Sequence, residues 1–364
     1  MREYFFKTQQ KNLAYNIFTS DKAFTLESGS TLPGLHLAYT THGELNEAKD
    51  NVVWVFHALT ANSDAAEWWH GLVGEGKLFD PATYFIVCVN MPGSCYGSSG
   101  PLDINPQKNA PYYHDFPFFT VKDMIKTYQP LRAFLGIRKI HVGIGGSMGG
   151  QQLLEWAIEE PELFEFIFPL ATNAFHSAWG IAFNESQRLS IECDATWKEK
   201  NENAGIEGMK VARSIALISY RNYITYNATQ VEEGNEKTEN FKPASYQRYQ
   251  GEKLARRFNA FSYYLLSKGM DSHNVGRNRV SIENALLQIK AKTFVIGITT
   301  DILFPVTEQK FIADNIPGAQ LKIIHSNYGH DGFLLEFEQI ENIISDFLTK
   351  QNVVNYKFES NDRA

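Results

Sequence analysis

The sequence GGSMGG, Gly145 to Gly150, sets one hydroxyl, that of Ser147, between two pairs of glycines. A serine hydroxyl becomes a useful nucleophile only when a base takes its proton and a carboxylate orients that base. Both partner types occur later in the chain, as Asp301 in TTDILFP and His330 in HSNYGHDGFL. Together the three could attack and transfer an acyl group through a covalent serine intermediate. The plainer alternative for each residue alone is a helix-capping serine, a turn-capping aspartate and a hydrogen-bonded histidine. Three matches in chain order, each after an apolar run, form a stronger signal than any one of them.

Two competing acids and two competing glycine loops have to be weighed. Asp314 lies inside a helical pattern, on its solvated face, and Asp331 adjoins His330, where a substrate contact suits it better than the acid role. The segment GLVGEGK, Gly71 to Lys77, has phosphate-loop spacing, but Leu78 replaces the serine or threonine that would hold magnesium and no strand precedes it, so it reads as a connecting loop. Gly143 and Gly145 begin a dinucleotide-type pattern whose third position is Met148. That leaves GxSxG, in which neighbours without side chains permit a strained turn and the following helix aims its first amides at the reacting carbonyl. The oxyanion donors expected are the backbone amides of Met148 and of Leu59 in HALTAN, while His57 in the same loop reads as structural.

The elements that must position these residues follow from apolar runs bounded by turn residues: VVWVF from Val52, YFIVCVN from Tyr84, KIHVGI from Lys139, FIFPLA from Phe166, TFVIGI from Thr293 and LKIIH from Leu321. VKDMIKTYQPLRAFLG and GQQLLEWAIEEPELF have helical patterns and lie between successive strands, as in a parallel sheet covered on both faces. FTLESGSTLPGLHLAYTTHGEL alternates and turns like an antiparallel entry hairpin, which predicts a mixed sheet. The strand rhythm stops after Ala171 and resumes at Thr293, with NESQRLSIECDATW, IEGMKVARSIALISYRNYITYN and the polar loop TQVEEGNEKTENFK between. The expected organisation is an α/β core of residues 1–171 and 291–364 with a helical lid insertion over 172–290. The polar tail from about Asn352 is expected to fray.

Composition narrows the function classes. The chain has 364 residues, 43% hydrophobic and 21% charged, and its formal net charge of −7 argues against a nucleic-acid binder. No run approaches the roughly 18 apolar residues of a membrane span, and MREYFFKTQQKNLAYN has no signal-peptide pattern, so the cytoplasm is the expected location. Cys88, Cys95 and Cys193 have neither disulfide nor zinc spacing, and no metal is expected.

The order serine, acid, histidine at strand ends resembles the α/β-hydrolase fold. More specifically, HALT, GKLFDPATYFIVCVNMPGSCYGSSGP, GGSMGGQQLLEWA, IAFNESQR, ARSIALISYR, MDSHNVGR, TTDILFP and GHDGFL resemble, in order, the blocks of the homoserine O-acetyltransferases of methionine biosynthesis. The resemblance implies a triad of Ser147, Asp301 and His330. It also implies that Arg213 and Asp331 contact the amino-acid substrate, with Arg221 a rival for the arginine role. It further implies acetyl-CoA as co-substrate with no bound cofactor, L-homoserine as acceptor and a homodimer. Succinyl transfer, serine as acceptor and plain ester hydrolysis are the alternatives within the fold, and a non-catalytic binding protein is the alternative outside it. The chain departs from the family in having ANSD, Ala61 to Asp64, where GDSH usually follows HALT. The stretch between Trp197 and Arg213 is also shorter than usual.

Overall fold

The computed structural model describes residues 15–361. The N-terminal residues read for an export signal lie largely outside that range. Eight strands form one sheet: β1 (Asn16–Ser20), β2 (Leu35–His42), β3 (Val52–Phe56), β4 (Phe85–Val89), β5 (Ile140–Gly146), β6 (Phe164–Leu170), β7 (Lys292–Ile298) and β8 (Gln320–Ile324). Their spatial order is β1-β2-β4-β3-β5-β6-β7-β8. β1 pairs antiparallel with β2 and β2 with β4, whereas every neighbour from β4 to β8 is parallel. The expected mixed sheet is therefore present, and the entry hairpin is a small separate pairing of Phe24–Thr25 with Thr31–Leu32.

Alternation along the central strands builds two cores. Trp54 and Phe56 of β3 face α2 (Val121–Phe134) and α3 (Met148–Glu159), where Trp54 meets Trp156 edge-on at 4.9 Å. Val53 and Val55 face the opposite layer, formed by the short α1 (Ala65–Trp68) and the C-terminal helix. Helix α2 starts on a capping box between Thr120 and Asp123 and runs through Pro130 without ending. Helix α3 stops at Glu159, not at the end of GQQLLEWAIEEPELF, because Phe164 already belongs to β6.

Between β6 and β7 lie α4 (Ala178–Glu192), α5 (Ile206–Tyr220), α6 (Tyr223–Gln230), α7 (Lys242–Ala255), α8 (Ala260–Asp271) and the short α9 (Ile282–Leu286). The long pattern IEGMKVARSIALISYRNYITYN is broken into two helices. Arg221 turns extended, and the Asn222 side chain caps α6 by accepting from Ile224 N at 2.8 Å. Helices α10 (Val306–Asn315), α11 (Gly332–Leu335) and α12 (Phe337–Asn361) complete the chain. α12 continues through the polar segment predicted to fray. Once Ile340, Ile344 and Phe347 have anchored its first turns in the core, each added residue extends an existing hydrogen-bonded ladder at little cost. No helix among the described residues is long and apolar enough to cross a membrane.

Candidate active site

Ser147 follows the central strand β5 and precedes the first residue of α3. Its backbone has φ +57° and ψ −127°, a conformation that costs a non-glycine residue about 1–3 kcal/mol. Its surroundings hold it there: Ser147 N donates to Leu170 O at 3.0 Å, and Ser147 O accepts from Thr172 Oγ1 at 2.7 Å. The flanking glycines are required by close approach. A Cβ on Gly149 would lie 2.1 Å from the Phe56 carbonyl oxygen, and one on Gly145 would lie 2.6 Å from the Gly149 backbone. Helix α3 thus sits directly on the end of β3, and the turn between β5 and α3 has no room to relax.

Asp301 lies just past β7 and is buried. Its Oδ1 accepts from Leu303 N and Phe304 N, both at 2.9 Å, which leaves Oδ2 for the His330 Nδ1–H at 2.7 Å. His330 sits in a short turn after β8, with its ring stacked on Phe304 at 5.0 Å and edge-on to Phe333 at 5.3 Å. Its Nε2 is buried and has no hydrogen-bond partner among the described residues. Burial pulls the imidazole towards the neutral form, but the charge and hydrogen bond of Asp301, with the charge of Asp331, outweigh it and raise its pKa. The acid–base half of the constellation is therefore closed, while Nε2 is left for a proton from a nucleophile. Asp314, the competing acid, is an exposed partner of Lys310 at 2.7 Å.

Neither the Leu59 nor the Met148 backbone amide donates a hydrogen bond to another described residue. His57 is structural, as expected: its Nε2 accepts from Met91 N at 3.1 Å, and burial pushes its pKa down to about 4. The departing residues ANSD also build local structure. Asn62 Oδ1 accepts from Asp64 N at 2.9 Å, Ser63 N donates to Asn90 Oδ1 at 2.7 Å, and Asp64 caps α1. GLVGEGK forms the expected connecting turn, bridged from Val73 to Phe79.

The second cluster comes from the inserted helices. Arg221 Nε lies 3.2 Å from Asp331 Oδ2, so the direct ion-pair partner of Asp331 is the rival arginine and not Arg213. Arg213 sits instead over the ring of Tyr220, 5.6 Å from its centroid, and Tyr220 packs 5.7 Å from the His330 ring. Burial raises the Asp331 pKa against the opposing charges of Arg221, His330 and Arg213. All four residues therefore converge beside His330. Sequence reasoning missed Tyr220, although it falls seven residues after Arg213 on one face of α5. No group of three or more His, Cys, Asp or Glu among the described residues could hold a metal ion.

A family model described as the alpha/beta hydrolase fold matches residues 51–337. A homoserine O-acetyltransferase from Cyclobacterium marinum is 48% identical over 340 residues, covering 93% of this chain and 97% of its own. The chain belongs to the homoserine O-acetyltransferase family. The crystal structure of a homoserine O-acetyltransferase from Bacillus anthracis superposes with a TM-score of 0.86 at 24% identity, covering 92% of this chain and 97% of the other. That of an esterase variant superposes with a TM-score of 0.85, also at 24% identity, covering 92% and 99%. At that identity both establish the fold alone. Within this family, sequence similarity extends to nearly the whole chain, so the inserted helices as well as the sheet have counterparts.

Proposed function

We propose that this family member transfers the acetyl group of acetyl-CoA to the hydroxyl of L-homoserine through an acyl-Ser147 intermediate. His330 Nε2 takes the Ser147 proton as Oγ attacks the thioester carbonyl, and the amides of Met148 and Leu59 receive the oxyanion. Collapse of the tetrahedral species breaks the C–S bond, and the CoA thiolate leaves with the proton from His330. Homoserine then enters, its hydroxyl gives a proton to His330, and its oxygen attacks the acyl-serine. The O-acetyl ester departs as Ser147 regains its proton.

The observation that carries this reading is the half-closed pairing, in which buried Asp301 fixes His330 at 2.7 Å while Nε2 has no hydrogen-bond partner among the described residues. Asp331 and an arginine supply the charges an α-amino acid needs, a carboxylate for its ammonium and a guanidinium for its carboxylate. The ion pair gives Arg221 a claim beside that of Arg213. We read residues 172–290 as a lid that holds the acceptor hydroxyl near the acyl-serine, at an effective concentration that lets it outrun water. Exposed Val211 and Ile218 on α5, with Tyr223 and Ile224 on α6, support a homodimer formed through these helices. Three free thiols and a CoA thioester substrate fit the reducing cytoplasm.

Following free thiol from acetyl-CoA with and without homoserine tests the reading, with succinyl-CoA and serine as competing substrates. Thiol release that depends on homoserine and yields O-acetylhomoserine is expected. Equal release of thiol and free acetate without homoserine would make the protein a hydrolase of the same fold.

A further inference from the structure

The inserted helices reach the Leu59 turn through one side chain. Arg257, in the turn between α7 and α8, donates through Nη1 to the Thr60 carbonyl at 2.6 Å and to the Tyr96 hydroxyl. Leu59 and Thr60 are the two central residues of a tight turn closed by Ala61 N on Ala58 O at 3.0 Å. From the core side the same turn is held by His57, whose Nδ1 lies 2.9 Å from Ala58 O. Tyr96 is itself fixed, because Asn90 Nδ2 donates to its carbonyl at 2.8 Å and its ring meets that of Phe258 at 5.6 Å. The Cys95 thiol adds a contact to the Arg257 carbonyl at 3.5 Å. One guanidinium thus ties together the loop after β3, the loop after β4 and the insertion.

An oxyanion donor is useful only if its N–H is already aimed before the charge develops. A four-residue turn gripped on both sides moves as a unit, so releasing the Thr60 carbonyl leaves the turn, and with it the Leu59 amide, held from the core side alone and able to tilt. The geometry points to Arg257 as a positioning residue that sets the direction of the Leu59 amide from the insertion side. Oxyanion stabilisation then depends on the helices over the site being seated. This inference rests on the acyl-transfer reading with Leu59 as a donor.

Arg257→Met and Arg257→Lys are compared with the unaltered protein in three measurements. These are pre-steady-state acetylation by p-nitrophenyl acetate, inhibition by methylboronic acid, which adds to a serine as a tetrahedral anion, and the KM for homoserine. Arg257→Met is expected to lower acetylation rate and boronate affinity together by ~10-fold while homoserine KM stays within about 2-fold. Arg257→Lys, which can still donate to Thr60 O, recovers most of both losses. A raised KM with unchanged boronate affinity would mean that Arg257 only seats the lid, and would overturn the inference, as would unchanged acetylation. If Arg257→Met does not fold, Tyr96→Phe removes a group that holds the guanidinium. An expected fall of about 3-fold in the same two readouts then decides, and no fall overturns the inference. An unaltered protein that forms no acyl-enzyme would contradict the acyl-transfer reading itself, whereas a normal one with indifferent variants contradicts only the role of Arg257.

Discussion

The two halves of the site are held in place by different physics. Ser147, Asp301 and His330 follow three parallel strands, each locked by hydrogen bonds from backbone amides at the residue or within three positions of it. Arg213, Tyr220 and Arg221 come from one inserted helix and its broken end, placed by packing and by a charge pair with Asp331. In the proposed route the strand-end half carries the acyl chemistry, attack by a serine with a histidine base and an aspartate that orients it. In the same proposal the helical half is where the acceptor is chosen. A change in the first half should therefore stop all acyl chemistry, and a change in the second should redirect it.

The largest effect is expected for Ser147→Ala, which should lower both ester cleavage and acetyl transfer by ~10⁴-fold or more while leaving the protein folded, as measured by nitrophenol and thiol release. Substantial transfer by that variant would break the comparison at once. Asp331→Asn should raise homoserine KM by ~10- to 100-fold, consistent with losing a charged hydrogen bond, yet leave acetylation by p-nitrophenyl acetate within a few-fold. Equal losses in both reactions would place Asp331 with the strand-end half instead.

A smaller effect lies in pH. In the proposed route His330 acts as base when neutral, so acetylation should be lost as pH falls through its pKa, with a midpoint above the ordinary histidine value of 6.5. Because the Asp331 charge is one cause of that rise, Asp331→Asn should move the midpoint downward, and Asp301→Asn further still. Stability runs the other way. A raised histidine pKa contributes stability that is present below 6.5 and is lost as pH climbs through the folded-state value.

The smallest effect concerns Glu308, in the first turn of α10 behind Asp301. Burial raises its pKa to about 7, with the Asp301 charge adding to the rise and Asn173 and Ser177 opposing it. Its folded state keeps a proton that the unfolded chain releases near 4.5, so its contribution to stability declines as pH rises from there to about 7. Glu308→Gln should flatten that part of the decline in urea unfolding between pH 5 and 8, with little change in acetyl transfer. An unchanged slope would show that the carboxyl is not held protonated.

The strand-end half was legible in the sequence because short branched apolar runs mark where parallel strands stop, and Ser147, Asp301 and His330 each follow one. Glycines at 145 and 149 announce a close backbone approach that the structure then displays against Phe56. The helical half was legible only by residue type. Periodicity joined α5 and α6 into one pattern, because nothing local in SYRNYI outweighs helical propensity until Asn222 is seen capping a new helix. For the same reason the pairing of Asp331 with Arg221, and the place of Tyr220 against His330, could not be read. They depend on how α5 lies across the sheet, which is decided by packing among distant segments.

The most direct test of a covalent route through Ser147 is mass analysis of the intact protein after mixing with acetyl-CoA alone, then with homoserine. One acetyl group should appear on the protein, map to the peptide bearing Ser147, and leave as O-acetylhomoserine when homoserine is added. Acetyl transfer to homoserine with no acetylated protein at any time, or an acetyl group retained on another residue, would contradict it.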